Sequence, residues 1–190
     1  MVEAVRTYPD RFLGFGAVPF GMELEETEEW IDTQITSNSL YGIGEFTPGS
    51  EQQIMQLETI FRALKNTRIY PVWVHTFQPV TVSGIKCLMS LCEKYPGIPV
   101  IFGHLGGSNW MDVIKFAKEH DDVYLDLSAA FASIATKMAL TELPERCLYS
   151  SDAPYGEPYL YRQLIEYVSP DKRIAEMALG ENISRLLELN

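Results

Sequence analysis

The chain has 190 residues, of which 46% are hydrophobic and 22% are charged, and its formal net charge is −11. This length suits one domain with a substantial core, which we place at residues 1–190. The acidic balance argues against a nucleic-acid or anionic-membrane partner, because binding phosphate groups needs a basic face.

Targeting signals are not evident in the sequence. The N-terminal stretch MVEAVRTYPD has acidic and aromatic residues where a signal peptide needs a basic start and an apolar run. No apolar run approaches the roughly 20 residues that a membrane span requires. We therefore expect a cytoplasmic protein.

Short apolar runs alternate with helical patterns along the chain. The runs typical of buried strands are residues 12–18, 41–46, 69–75, 99–104, 123–127 and 146–152. Helices are predicted at residues 23–37, 51–65, 80–95, 109–120, 129–140, 157–168, 171–179 and 182–189. Gly180 is predicted to end the helix before it, since glycine readily adopts the left-handed conformation of a helix C-terminus.

Strand–helix alternation of this kind predicts an α/β fold in which helices cover a parallel sheet. The strands are nearly continuous in apolar residues, which is typical of strands buried on both faces. A doubly wound sheet and a barrel both fit the pattern.

Four of the apolar runs carry an ionisable residue at or next to the C-terminal end: Glu45, His75, His104 and Asp152. Burying a charge without a partner is costly, so these positions need an explanation. In a parallel barrel the C-terminal strand ends share one rim, where active sites occur. We therefore expect the four side chains to converge.

Two histidines and two carboxylates suit a divalent transition metal such as zinc. A bound water would have its pKa lowered towards about 7, and a carboxylate or histidine could move its proton. The alternative for each residue is structural: a hydrogen-bonded histidine, a capping Asp152, or a solvated Glu45. Of the remaining polar residues, His120 is predicted at the surface, Asp126 as a structural hydrogen-bonding residue and Ser128 as a turn residue.

Several segments together resemble the amidohydrolase superfamily, in its amidohydrolase-related branch of metal-dependent hydrolases and decarboxylases. The matching segments are YPDRFLGFGAVP, GIGEF, VWVH, IFGHLGG, VYLDLS, LYSSDAP and GENISRLL. They follow the family's order and cover nearly the whole chain. The resemblance implies a TIM-barrel-like (β/α) fold.

The resemblance also implies roles for the four strand-end residues. His75 would be a metal ligand on the family's fifth strand. His104, on the sixth, would be a second-metal ligand or the catalytic histidine. Asp152 would be the eighth-strand aspartate, which binds the metal and accepts a proton from its water. Glu45 matches a fourth-strand position that holds a bridging carboxylate in some subfamilies.

One family feature is missing from the sequence. The family's first strand ends in His-x-His, and the histidines here lie only at positions 75, 104 and 120. Aligned by motif, the chain begins at the helix before the family's third strand, so that six of eight βα units are expected. The chain would then be a fragment, a shortened protein, or one of two chains that complete each other. Exposed sheet edges favour association, so we expect a homo-oligomer.

Functionally, we expect a metal-dependent hydrolase that cleaves a small-molecule C–N or ester bond through a metal-activated water. Asp152 and His104 are the predicted catalytic residues, and His75, His104, Asp152 and Glu45 are the predicted metal ligands. One alternative is a metal-dependent decarboxylase of the same superfamily. Another is a non-catalytic truncated barrel without the His-x-His ligands.

Overall fold

A computed structural model describes residues 1–128 and 132–189 of the chain. The strands are β1 (Phe15–Gly16), β2 (Gly42–Phe46), β3 (Val72–His75), β4 (Val100–Gly103), β5 (Val123–Asp126) and β6 (Cys147–Leu148). The α-helices are α1 (Val2–Thr7), α2 (Leu24–Trp30), α3 (Glu51–Asn66), α4 (Val82–Lys94), α5 (Trp110–Glu119), α6 (Ser133–Glu142), α7 (Pro158–Val168), α8 (Lys172–Glu176) and α9 (Asn182–Leu186). Two π-helical turns, Ile31–Thr36 and Met177–Glu181, continue α2 and α8.

The strands follow chain order in a six-stranded sheet, from β1 to β6. The pairs β1–β2, β2–β3 and β5–β6 are parallel, with Phe15 opposite Gly42 and Leu125 opposite Cys147. Helical segments connect successive strands, as parallel pairing requires. The predicted α/β alternation with a parallel sheet is confirmed.

The chain divides into two compact units, each with a core of its own. The first comprises Met1–Val74 and Pro79–Val100, and the second comprises His75–Gln78 and Ile101–Asn190. The two candidate histidines, His75 and His104, both belong to the second unit. Their geometry can therefore be described within that unit.

In the first unit, helix α3 supplies a continuous apolar face to the core. Its side chains with 2% exposure or less are Ile54, Leu57, Ile60, Phe61, Ala63 and Leu64. The helix begins at Glu51 because the Ser50 side chain accepts the Gln53 backbone N–H at 3.3 Å. Helical spacing and a capping residue, both present in the sequence, therefore decide this element.

In the second unit, the core forms between the sheet and helices α5 and α6. Its fully buried strand side chains include Ile101, Phe102, Val123, Leu125, Cys147 and Leu148. Val113, Ile114 and Ala117 of α5 and Ala135 and Ala139 of α6 are also buried. The predicted helix at residues 129–140 corresponds to α6, and positions 129–131 lie outside the described residues.

The first and last strands are shorter than the apolar runs predict. Strand β1 contains only Phe15 and Gly16, and the preceding Phe12 and Leu13 are 51% and 44% exposed. Strand β6 ends at Leu148, so Asp152 lies in the loop beyond it. An apolar run sets the upper limit of a strand, but the ladder continues only where a neighbouring strand can pair.

The prediction that Gly180 ends a helix is wrong. Gly180 lies inside the π-helical turn Met177–Glu181, which runs directly into α9. The fully buried Asn182 donates to the carbonyls of Pro144 and Cys147, each at 2.8 Å. These tertiary bonds hold the chain helical through the glycine. Among the described residues, no helix combines the length and the apolar character that crossing a membrane requires.

Candidate metal centre

His75 is the last residue of β3, after two valines that anchor the strand. Val72 and Val74 are fully buried, and the alternation of the strand leaves His75 half-buried. The His75 Nε2 lies 3.0 Å from the carbonyl oxygen of Gln78. Because a carbonyl can only accept, this contact requires a proton on Nε2, and the lone pair of the neutral ring is then on Nδ1.

His104 is the first residue after β4, and its side chain is only 4% exposed. His104 and Leu105 both have positive φ angles, 59° and 54°, and Gly106 and Gly107 continue the left-handed turn with φ of 77° and 55°. The glycines thus allow a tight turn directly after the buried strand. This turn explains why the sequence places a histidine between an apolar strand and a pair of glycines.

The two histidine rings lie against each other. His75 Nδ1 and His104 Nε2 are 2.9 Å apart, and the ring centroids are 4.6 Å apart at an interplanar angle of 76°. Of the residues that the structure describes, both belong to a group of side chains that could hold a metal ion. The convergence of these two histidines is therefore present in the second unit.

Asp126 and Ser128 extend this pair into a buried hydrogen-bond network. His104 Nδ1 is 2.8 Å from Ser128 Oγ, and Ser128 Oγ donates to Asp126 Oδ2 at 2.9 Å. Asp126 also accepts the backbone N–H groups of His104 at 3.2 Å and Ser128 at 2.7 Å. Burial raises the pKa of Asp126, while the hydrogen bonds from Ser128 and the nearby His104 oppose that rise.

The sequence prediction did not include Asp126 and Ser128 among the site residues. The structural hydrogen-bonding role predicted for Asp126 is correct, but its partners include a candidate ligand. The sequence signal was available in VYLDLS, where an aspartate and a serine follow a buried strand with one residue between them. Their connection to His104 depends on the pairing of distant segments, which spacing alone does not give.

The two predicted carboxylate ligands occupy different surroundings. Asp152 is half-exposed, with a φ of 56°, and its backbone carbonyl accepts the N–H groups of Tyr155 and Gly156. Among the described residues, it is not part of the candidate ligand group that contains His75 and His104. Glu45 lies on β2 in the first unit, and its side chain is exposed. The roles of both carboxylates remain predictions.

His120, which the sequence predicts at the surface, is half-buried. Its ring stacks on Phe116 with the centroids 3.9 Å apart, and its Nδ1 lies 2.9 Å from the Phe116 carbonyl oxygen. The apolar ring surface of Phe116 explains the partial burial. His120 therefore serves as a histidine control outside the candidate site.

The family model described as Amidohydrolase matches residues 1–189. The chain belongs to the amidohydrolase family. No match to this amidohydrolase-family chain was found among curated proteins.

Solved structures similar to this amidohydrolase-family chain support the same fold. An uncharacterized TIM-barrel protein from Bordetella bronchiseptica is 18% identical, with a TM-score of 0.81 over 98% of this chain and 70% of that one. A putative amidohydrolase from Staphylococcus aureus is 18% identical, with a TM-score of 0.78 over 99% and 77% of the two chains. A dihydroxybenzoic acid decarboxylase from Polaromonas sp. JS666, with bound manganese and the inhibitor 2-nitroresorcinol, is 18% identical, with a TM-score of 0.72 over 100% and 73%. The predicted TIM-barrel-like α/β fold is confirmed.

Proposed function

We propose that this chain is a divalent-metal-dependent enzyme that acts on a small molecule, with His75 and His104 as metal ligands. The observation that carries the proposal is the 2.9 Å separation between His75 Nδ1 and His104 Nε2. Two ring nitrogens at this distance share either a proton or a cation between them. Imidazole nitrogens are common ligands of divalent transition metals.

The hydrogen bond on the far side of His75 supports the cation. His75 Nε2 donates to the Gln78 carbonyl, which leaves the lone pair of the neutral ring on the nitrogen that faces His104. Metal-binding histidines commonly donate their second ring N–H to a carbonyl or carboxylate in this way. Such a bond fixes the tautomer that can bind a metal.

We further propose Glu45, which the sequence predicts as a ligand, as the carboxylate that completes the metal site. A set of two imidazoles and one carboxylate suits zinc, which the sequence predicts, and it also suits manganese, which the decarboxylase from Polaromonas contains. When bound, such an ion would polarise a carbonyl or carboxylate oxygen and lower the pKa of a bound water.

For the reaction, we favour decarboxylation of a hydroxylated aromatic acid over hydrolysis. The support is the similarity of this chain to the dihydroxybenzoic acid decarboxylase from Polaromonas. In this reaction the bond from the ring carbon to the carboxylate breaks, CO2 leaves, and the ring carbon gains a proton. Of the two predicted catalytic residues, we propose Asp152 to hold this proton, because both ring nitrogens of His104 are engaged in the ligand role proposed above. Hydrolysis of a C–N or ester bond is the second candidate, supported by the similarity to a putative amidohydrolase.

Release of CO2 from a dihydroxybenzoate tests the proposed reaction. The chain would be treated with EDTA, loaded with manganese or zinc, and compared with its metal-free form. We expect metal-dependent CO2 release that falls about 10²–10⁴-fold in Asp152→Asn, the range that a positioned acid or base contributes. The exposed Asp10→Asn removes the same charge and should leave the rate unchanged.

The other outcomes separate the alternatives. Turnover of amide or ester substrates without CO2 release would replace decarboxylation by hydrolysis. Metal binding without turnover of either substrate class would support the non-catalytic alternative. Unchanged turnover in Asp152→Asn would remove Asp152 from the mechanism.

A further inference from the structure

We propose that Asp126, acting through Ser128, is a positioning residue that holds the proton of His104 on Nδ1 and its lone pair on Nε2. The tautomer follows from the hydrogen-bond network alone. Its consequence for metal binding rests on the proposed function.

The direction of the network starts at Asp126. Its Oδ1 accepts the backbone N–H of Ser128 at 2.7 Å, and its Oδ2 accepts the backbone N–H of His104 at 3.2 Å. Backbone N–H groups can only donate, so each carboxylate oxygen already acts as an acceptor. The Ser128 hydroxyl, 2.9 Å from Oδ2, is then the third donor to the carboxylate.

The donation by Ser128 decides the state of His104. A serine hydroxyl has one hydrogen, and here Asp126 receives it. At the 2.8 Å contact with His104 Nδ1, Ser128 Oγ must therefore accept, and Nδ1 must carry the proton. In the neutral ring, the lone pair of His104 is then on Nε2, so in the metal-free chain Nε2 accepts across 2.9 Å from a proton on His75 Nδ1, which a bound cation would replace.

Burial makes this arrangement effective. His104, Asp126 and Ser128 are 4%, 2% and 1% exposed, so bulk water has little access to their hydrogen bonds. Asp126 holds both the backbone and, through Ser128, the ring of His104. One carboxylate therefore fixes where the histidine sits and which nitrogen can bind a metal.

The substitution Asp126→Asn should reverse the tautomer. Both Asp126 oxygens face a backbone N–H, Oδ1 at 2.7 Å and Oδ2 at 3.2 Å. The NH2 group of the variant would take the place of Oδ2, where the N–H lies farther away and the Ser128 hydroxyl can rotate to accept. The serine hydrogen would then turn towards His104 Nδ1, which would leave the ring proton on Nε2. Ser128→Ala should release the tautomer and let both forms coexist, and exposed Asp10→Asn is the charge-matched control.

The test is the tautomer of His104 in the metal-free chain, read from ¹⁵N chemical shifts of labelled histidines. Spectra would be recorded from about pH 6 to about pH 9, the range across which an ordinary imidazole becomes neutral. The variants His75→Gln and His120→Gln assign the signals. We expect a protonated Nδ1 in the wild type and in Asp10→Asn, a protonated Nε2 in Asp126→Asn, and mixed forms in Ser128→Ala.

The outcomes distinguish this proposal from the proposed function. A protonated Nε2 in the wild type would overturn the positioning role, whether or not metal binds. An unchanged Nδ1 proton in both Asp126→Asn and Ser128→Ala would also overturn it, and Ser128→Ala decides alone if the other variant does not fold. Manganese or zinc affinity should fall about 10–100-fold in Asp126→Asn, as is typical for partners of metal ligands. The expected tautomers without any metal binding would instead refute the metal centre and leave the positioning role intact.

Discussion

Thr76 joins the segments that carry the two histidines. Its side chain is 1% exposed, and its Oγ1 donates to the carbonyl of Gly103, the residue before His104. The same oxygen accepts the backbone N–H of Gly106 at 3.0 Å. One hydroxyl next to His75 thus satisfies two backbone groups on either side of His104, and it fixes the left-handed turn.

Replacing Thr76 by valine keeps its shape and removes both hydrogen bonds. We expect Thr76→Val to lower the free energy of unfolding by about 1–3 kcal/mol, because the Gly106 N–H loses its acceptor. The Gly103 carbonyl keeps the backbone N–H of residue 76 at 3.3 Å. Urea denaturation measures the loss. Thr141→Val is the control, since its exposed hydroxyl bonds only the Lys137 carbonyl of its own helix, and its loss should stay below about 0.5 kcal/mol. An equal loss of unfolding free energy in the two variants would show that the Thr76 hydrogen bonds stabilise the chain no more than an exposed helix hydroxyl does.

Two glycines show how the same residue type acts differently in a turn and in a helix. Gly106 has a φ of 77°, and a Cβ at this position would lie 2.4 Å from Val113 Cγ2 of α5. Gly180 lies in a π-helical turn, and among the described residues no atom outside its chain neighbours and the backbone of its own helix lies within 4 Å of the position of its Cβ. The first glycine is required by geometry, whereas the second only adds flexibility to the unfolded chain.

We therefore expect opposite effects from the same substitution at these elements. Gly106→Ala should destabilise the chain by at least about 1–2 kcal/mol, because alanine is strained at positive φ. Gly180→Ala should stabilise it by about 0.4–1 kcal/mol, because the variant loses less backbone entropy on folding. Thermal and urea denaturation of both variants measure the difference. A destabilised Gly180→Ala would mean that Gly180 does end a helix in solution, as the sequence suggests.

The strand order of the whole chain places β1 and β6 at its two ends. Outer strands present backbone groups that can pair with another chain. The residues before β1 add apolar surface, since Phe12 is 51% exposed and Leu13 is 44% exposed. We propose that the chain self-associates through these edges.

Sedimentation velocity over a range of concentrations tests the association. We expect a concentration-dependent shift from monomer towards dimer, weakened by Leu13→Glu, which places a charge beside β1. Met55→Glu, on the exposed side of α3, adds the same charge elsewhere and should leave association unchanged. A single monomeric species at high concentration would refute the proposal.

Across the whole molecule, the sequence predicts helices and strands better than it predicts the hydrogen bonds between distant segments. The run 41–46 and the helix 51–65 agree closely with β2 and α3, because apolar periodicity and the Ser50 cap are local signals. His75 and His104 converge as predicted, because the C-terminal ends of parallel strands share an edge. The network of Asp126 and Ser128 was missed because it depends on segments far apart in the chain.

The central claim is that His75 and His104 form a divalent-metal site, and calorimetric titration of the EDTA-treated chain with zinc and with manganese tests it most directly. We predict uptake of about one ion per chain, with an affinity weaker than nanomolar because only two histidines of this chain, His75 and His104, are available as ligands. Binding should be lost in His75→Gln and retained in His120→Gln, whose ring stacks on Phe116. No uptake of either metal, or binding that His75→Gln leaves unchanged, would contradict the account.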